Sequence, residues 1–524
     1  MYIASRSMHF EVSKMMAMHT GSMGAEMVSM DVGMGLLVVG LVAATIGLIP
    51  RRPPDAGAMP RTRVVSSETR VARPVVILML VLAVAVVIDA THPIELAFVA
   101  PGMAKEYGLT SAANPHGGLP VSLLPLTGIT GTVIGSFLWG WFGDRIGRRA
   151  SIILAGELFM TTAICGAMPT FEWNLSMCFM MGLGAGGMLP ITFTLIAETV
   201  PARHRGWLMV LIGGEVSGAY VLVSWLSAWL VPHYSWRMLW LVGMPTGALL
   251  IALNRWIPES PRFLLAHGRV AEAGVIMRRF GMRLVSPGEG EHAELDLPGH
   301  GRFRQLWARG LARQSLTIVL LAIGIGVVTY GFQLWIPSDL QQIGFSSGAA
   351  SNLLRNSALI GWPFTFLAAW LYGFWSSKRT VLILIVLTIA ALAVFVIFGN
   401  SVTSNKTVFL FVLAVPILAT SLVVAVLGAY SSEVYPTLIR ARGSGLAAGA
   451  SKAGGVLVIA MVVAAIASPS MRTTALVGAI PLALALLAVA FYATETRKRK
   501  LEDISADLVT AGMPGLLPAH QEGG

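Results

Sequence analysis

Apolar runs of about 20 residues recur along almost the whole chain, and no other feature constrains its fold as strongly. About 20 residues of α-helix cross the ~30 Å hydrocarbon core of a bilayer. Backbone in lipid must satisfy its own hydrogen bonds, so such runs are helices. Twelve lie at about 75–101, 120–142, 149–168, 174–197, 207–231, 237–257, 315–337, 352–375, 380–399, 407–430, 443–467 and 473–494. One more lies ahead of them, at about 33–50. Charged residues make up 12% of the 524, against about 25% in soluble domains. The chain reads as an all-α integral membrane protein.

The net charge of +11 does not point to nucleic acid, because its placement follows the spans. Lys and Arg collect in alternate loops, at Arg51–Arg73, Arg145–Arg149, Arg203 and Arg205, Arg255–Arg313, Lys378 and Arg379, Arg440 and Arg442, and the tail "TRKRK". The other loops hold single cations such as Lys105 and Lys406. This is the positive-inside pattern. It puts the basic loops and the C-terminus in the cytoplasm and adds anionic membrane lipids as partners. Two cysteines, Cys165 and Cys178, make no disulfide framework.

The two halves echo each other at an offset of about 235 residues. "AFVAPGMAKEYGLTS" matches "QLWIPSDLQQIGFSS", "GWFGDRIGRR" matches "GFWSSKRT", and "ETVPARHRG" matches "EVYPTLIRARG". A repeat of this kind implies two six-helix bundles in pseudo-twofold relation. The division that follows is a 1–74 Met-rich outer tail, extra membrane helix and basic linker; a 75–262 N-terminal bundle; a 263–314 inter-bundle loop; a 315–496 C-terminal bundle; and a 497–524 tail.

With these motifs the sequence resembles the major facilitator superfamily over about 75–496. "GWFGDRIGRR" is similar to its loop between spans 2 and 3. "ETVPARHRG", "PESPRFL" and "EVYPTLIRARG" resemble signatures of its sugar-porter and metabolite–proton symporter branches. The resemblance implies a central cavity and alternating access. The hexose transporters' span-5 Q-L-S is absent, where this chain reads "GGEVSGAY". The nearest likeness is to symporters of aromatic acids, niacin and related metabolites. Those often carry an acid pair in span 1 and an Arg in span 4; here Asp89 and His92 fall on the pair and Cys178 on the Arg.

Span 1 reads "VVIDATHPIELAFVAP". A charge at a bilayer centre costs roughly 2.5–3.5 kcal/mol on insertion scales, and such residues are functional by default. Asp89 is expected near mid-membrane, with Glu95 roughly 9 Å further out at ~1.5 Å per residue. Pro93 cannot bond the carbonyl of Asp89, which weakens the turn. Asp89 or Glu95 is the expected proton-coupling group, with His92 as relay or substrate contact. Packing of helices by a neutral carboxyl is the alternative. Glu215 in span 5, Tyr330 and Gln333 in span 7, and Arg355 in span 8 are further candidates for the substrate path; Arg355 can equally snorkel to the interface. Glu157 is read as a structural partner.

A second group is expected to gate the basic side: Gly140, Asp144, Arg145, Arg148 and Arg149, with Glu198 and Arg205, and Glu433 with Arg440 or Arg442. The bland reading is that these charges only fix topology. Near the N-terminus Met16, His19, Met23, Met27, Met30 and Met34 form one helical stripe. Thioether and imidazole ligands suit Cu(I); an apolar helix face or an upstream start explains the stripe equally.

Two functions follow. The first is a proton-coupled symporter for uptake of a small organic metabolite, monomeric, in the inner membrane, without cofactor. The second is a transporter-like receptor or copper-linked protein that uses the Met/His-rich N-terminus. No nucleotide loop, nucleophile–base pair or zinc spacing suggests an enzyme.

Overall fold

In a computed structural model of the chain, the described residues are 63–66, 72–111, 114, 116–168, 170–285, 303–308, 311–330, 334, 336–342, 344–398, 406–435, 439–465, 471–497, 499 and 504. The Met stripe, the run 33–50, Gln333 and the Asp144 side chain lie outside them. Eleven helices in the described residues are long and apolar enough to cross a membrane. They are α1 (Arg73–Glu106), α2 (Leu123–Gly143), α3 (Arg148–Ala167), α4 (Phe171–Thr199), α5 (Arg203–His233), α6 (Arg237–Trp256), α8 (Ser347–Trp375), α9 (Ser377–Phe398), α10 (Val412–Val434), α11 (Arg440–Met461) and α12 (Ala475–Tyr492). The shorter α7 (Ala312–Val328) completes twelve.

Between lipid-facing helices the hydrophobic effect supplies little attraction, so close approach through small residues does the packing. The sequence "GITGTVIG" in α2 shows how. A Cβ on Gly131 would strike the Phe179 carbonyl oxygen of α4, and one on Gly182 would strike the Gly128 carbonyl oxygen of α2. Only bare glycine lets these two backbones meet. The outward faces carry side chains that water would not tolerate in such number: Leu80, Trp225, Trp229, Ile397 and Phe491 are all more than half exposed.

The two bundles meet along α2 with α11 and along α5 with α8 and α10. At the basic end of the α2–α11 seam, a Cβ on Gly140 would sit 3.3 Å from the Ala441 carbonyl oxygen. The described part of the inter-bundle segment holds regular structure that its Arg- and Gly-rich composition does not suggest. It begins with two short helices, Pro261–Ala266 and Val270–Arg279. It then forms strand β2 (Met282–Val285), which pairs antiparallel with β1 (Arg63–Ser66) just ahead of α1. No alternating pattern long enough to announce a strand precedes either one.

Candidate functional site

A cavity of about 140 Å³ lies where the bundles meet, midway along the helices. From the N-terminal bundle α1 contributes Asp89, Ala90 and Pro93, α4 contributes Pro190 and Phe193, and α5 contributes Tyr220. From the C-terminal bundle come Thr329 and Tyr330 after α7, Ser421 of α10, and Ser451 and Lys452 of α11. The walls are apolar and aromatic. Asp89 and Lys452 are the two lining residues, among those described, whose side chains are ordinarily charged at neutral pH.

Lys452 reaches across the bundle boundary. Its ammonium donates to Ser136 Oγ of α2 at 3.0 Å and to the Gly186 carbonyl of α4 at 2.8 Å. Its charge and that of Asp89 act on each other, and Asp89 acts on Tyr330 as well. The Gly186 carbonyl is available because α4 relaxes at Gly186–Gly187, where glycines clear the α2 backbone and Trp139.

The acids and the histidine of α1 part company here. At 100° per residue, Glu95 lies 120° around the helix from Asp89. His92 and Glu95 face the interior of the N-terminal bundle and do not line the cavity. His92 stacks on Phe159 of α3, ring centroids 4.4 Å apart. Its Nδ1 donates to the Ile88 carbonyl at 2.9 Å. Thr91 Oγ1 donates to the same oxygen at 2.7 Å. These bonds brace the turn that Pro93 was expected to open, and α1 runs through Pro93 unbroken. Of the three, Asp89 stands on the cavity wall, while His92 and Glu95 are buried away from it.

Of the other path candidates, Tyr330 lines the cavity. Glu215 does not; it stands against Trp362 of α8. Arg355 bonds Asn356 through Nε and Nη2, at 3.2 and 3.0 Å, away from the cavity. Glu157 is half-buried on α3, also outside the cavity.

At the basic end the conserved spacing of the repeat turns into a crossed pairing. Glu198 with Arg205, and Glu433 with Arg440 or Arg442, are the expected cluster, and the pair Arg205–Glu433 crosses between bundles. Arg205 Nε of α5 bonds Glu433 Oε1 of α10 at 3.1 Å, both side chains 4% exposed. Glu198 bonds Arg148 at 3.3 Å, and Arg440 of α11 stands near enough to act on Glu198. Tyr372 OH and Thr496 Oγ1 also donate to Glu433, at 3.0 and 2.7 Å, and Arg205 Nη2 donates to the Arg499 carbonyl at 2.9 Å. Arg145 and Arg149 are exposed; Arg145 lies over the Trp141 ring. Glu259, from "PESPRFL", accepts from the backbone N–H groups of Arg148 and Arg149 at 2.8 and 3.2 Å. It thereby caps α3, where the helix dipole favours an anion. Burial still holds its carboxyl above the usual range, against the pull of these bonds and of Arg148.

Lys452 and Glu259 are absent from the sequence candidates. Lys452 had a signal, a lone cation inside "GLAAGASKAGGVLVIA", to which the reasoning applied to Asp89 extends directly.

A family model described as "Sugar (and other) transporter" matches residues 97–508. The niacin transporter NiaP of Acinetobacter baylyi is 29% identical over 373 residues, 70% of this chain and 82% of that one. The inner membrane metabolite transport protein YgcS of Escherichia coli is 29% identical over 402 residues, 75% of this chain and 85% of the other. Among solved structures, the proton:xylose symporter XylE superposes with a TM-score of 0.66 at 18% identity, over 83% of this chain and 98% of its own. At that identity the likeness speaks for the fold.

Proposed function

This chain belongs to the sugar (and other) transporter family of the major facilitator superfamily, and on that premise we propose that it is a proton-coupled symporter taking up a small organic metabolite. The observation that carries this reading is one buried acid, Asp89, on the wall of an apolar cavity between two repeated bundles. A carboxylate buried in such a place is costly even with the Lys452 ammonium on the same wall, so it is suited to take a proton from one side and lose it to the other. Substrate passes as the bundles rock about the cavity. The crossed pair Arg205–Glu433, with Arg440 acting on Glu198 across the same seam, closes the basic end, which faces the cytoplasm, in a bacterial inner membrane like that of YgcS. Niacin, the cargo in NiaP's name, is a sensible first candidate.

The test is transport into liposomes under an imposed pH gradient. Wild type accumulates substrate; Asp89→Asn loses accumulation while still exchanging substrate across the membrane. Glu95→Gln, whose side chain faces the bundle interior, keeps both. Full accumulation by Asp89→Asn would overturn the assignment.

A further inference from the structure

We propose that Lys452 is an anion subsite: a single-ring organic monocarboxylate sets its carboxylate against the Lys452 ammonium and crosses with one proton carried by Asp89. This rests on the transporter reading above and adds the substrate's charge and the stoichiometry.

The argument begins with charge. Lys452 and Asp89 together leave the cavity neutral. Several kcal/mol stand against each unpaired ion in a low-dielectric site, about the penalty that drives buried charges to pair. A carboxylate added to this cavity makes two anions facing one cation, and a proton on Asp89 restores neutrality. A neutral ligand leaves the pair intact and calls for no proton. An amine calls for proton loss from Lys452. Only an acid links its own binding to protonation of Asp89.

Geometry supplies the rest. Two of the three N–H donors of Lys452 are held by Ser136 Oγ and the Gly186 carbonyl. The ammonium is thus fixed at the bundle seam, with the third donor left for a carboxylate oxygen. Phe193, Tyr220 and Tyr330 give the cavity aromatic walls. Tyr220 OH and Thr329 Oγ1 are buried without a hydrogen-bond partner among the described residues, so a ring substituent can meet them. The cavity volume is about 140 Å³, close to the ~150 Å³ that houses a benzene ring in an apolar protein cavity. Asp89 is faced by Lys452 from α11, by Tyr330 from the end of α7 and by Tyr220 from α5; α2 and α4 present no titratable side chain to the cavity. Cys178 of α4 is buried outside the cavity lining, and α4 brings no cation to the cavity. The cation comes from the opposite bundle instead. Substrate binding therefore joins the two halves.

The experiment uses the full chain in liposomes with an acidic exterior and four radiolabelled probes: nicotinate and benzoate, nicotinamide and benzamide. We expect the acids to be accumulated over their amides by at least about thirtyfold, the scale for losing one partner of a buried charge pair. One proton enters per acid, read with a trapped pH dye, and no current flows on a supported membrane. In Lys452→Gln the acid-over-amide ratio falls towards one; in Lys452→Arg it survives. If the single variant does not fold, substrate exchange is compared instead: Asp89→Asn keeps the preference for acids in exchange, and the double variant Asp89→Asn/Lys452→Gln, neutral throughout, loses it. Equal handling of acids and amides by wild type, current during acid uptake, or a wild-type ratio in Lys452→Gln overturns the proposal. If all four probes are refused while some other solute accumulates, the anion subsite falls and the transporter stands. If no solute accumulates, both fall.

Discussion

Replacing Glu433 by Gln should open the basic end. The carboxylate pairs with Arg205 at 3.1 Å, and both side chains are almost fully buried. Breaking a buried pair by removing one partner costs about 3–5 kcal/mol, because the remaining charge stays buried and uncompensated. Gln can still accept from Tyr372 OH and Thr496 Oγ1, so the lower end, about 3 kcal/mol, is the fair figure. That loss falls on the closed form, since separation of the bundles returns Arg205 to water. About 3 kcal/mol is a factor of roughly 150 in the equilibrium between closed and open forms. A molecule closed about 99% of the time would then be open in the majority. Spin labels at Arg203 and Arg379, exposed positions on opposite bundles at this end, would read the change by pulsed electron resonance. The expected result is a new, longer distance that dominates the Glu433→Gln distribution, with a smaller effect in Tyr372→Phe. An unchanged distribution would refute the claim that this pair holds the bundles together.

Other expectations concern stability. Burial works against the Glu495 carboxylate, but bonds from the Ser376 and Ser377 hydroxyls and from backbone N–H groups hold it below its ordinary 4.5. Its contribution is therefore present above that pH and lost as pH falls through the lowered value; melting in detergent should show an acid limb that Glu495→Gln removes. Gly182→Ala forces a methyl into the Gly128 carbonyl, so it should cost about 1–3 kcal/mol, as overpacking does, seen as a lower melting temperature. Arg237 donates to Glu106 at 2.7 Å and to the Gly166 carbonyl at 2.7 Å. Arg237→Met takes the cation from that acid, which keeps the Trp236 Nε1–H at 2.9 Å, and a loss of about 1–3 kcal/mol should appear, whereas Arg237→Met/Glu106→Gln should recover part of it.

Much of this architecture can be read from residue spacing, because a bilayer demands helices of one length and a tandem repeat keeps its landmarks in register. The charge clusters at the basic end were equally visible. Their pairing was not: Arg205 and Arg440 sit at matching places in the two copies, and sequence distance favours Glu198 and Glu433 as their own neighbours. Only the apposition of the bundles exchanges them. The same gap explains span 1. Asp89, His92 and Glu95 are close in sequence, but which side of α1 meets the cavity depends on the helices packed around it. Lys452 carries its own signal as a lone cation among small residues, but its place opposite Asp89 comes only from the packing of the two bundles.

The strand pair β1–β2 has a consequence for how the chain is made. Six crossings return the polypeptide to the side on which it began, and there Val64 meets Leu284, about 220 residues downstream. At 5–20 residues per second, β1 waits roughly 10–40 s for its partner to leave the ribosome. When β2 arrives it closes a ring around α1 to α6. The first bundle is thereby fastened end to end while most of the second is still to be synthesised.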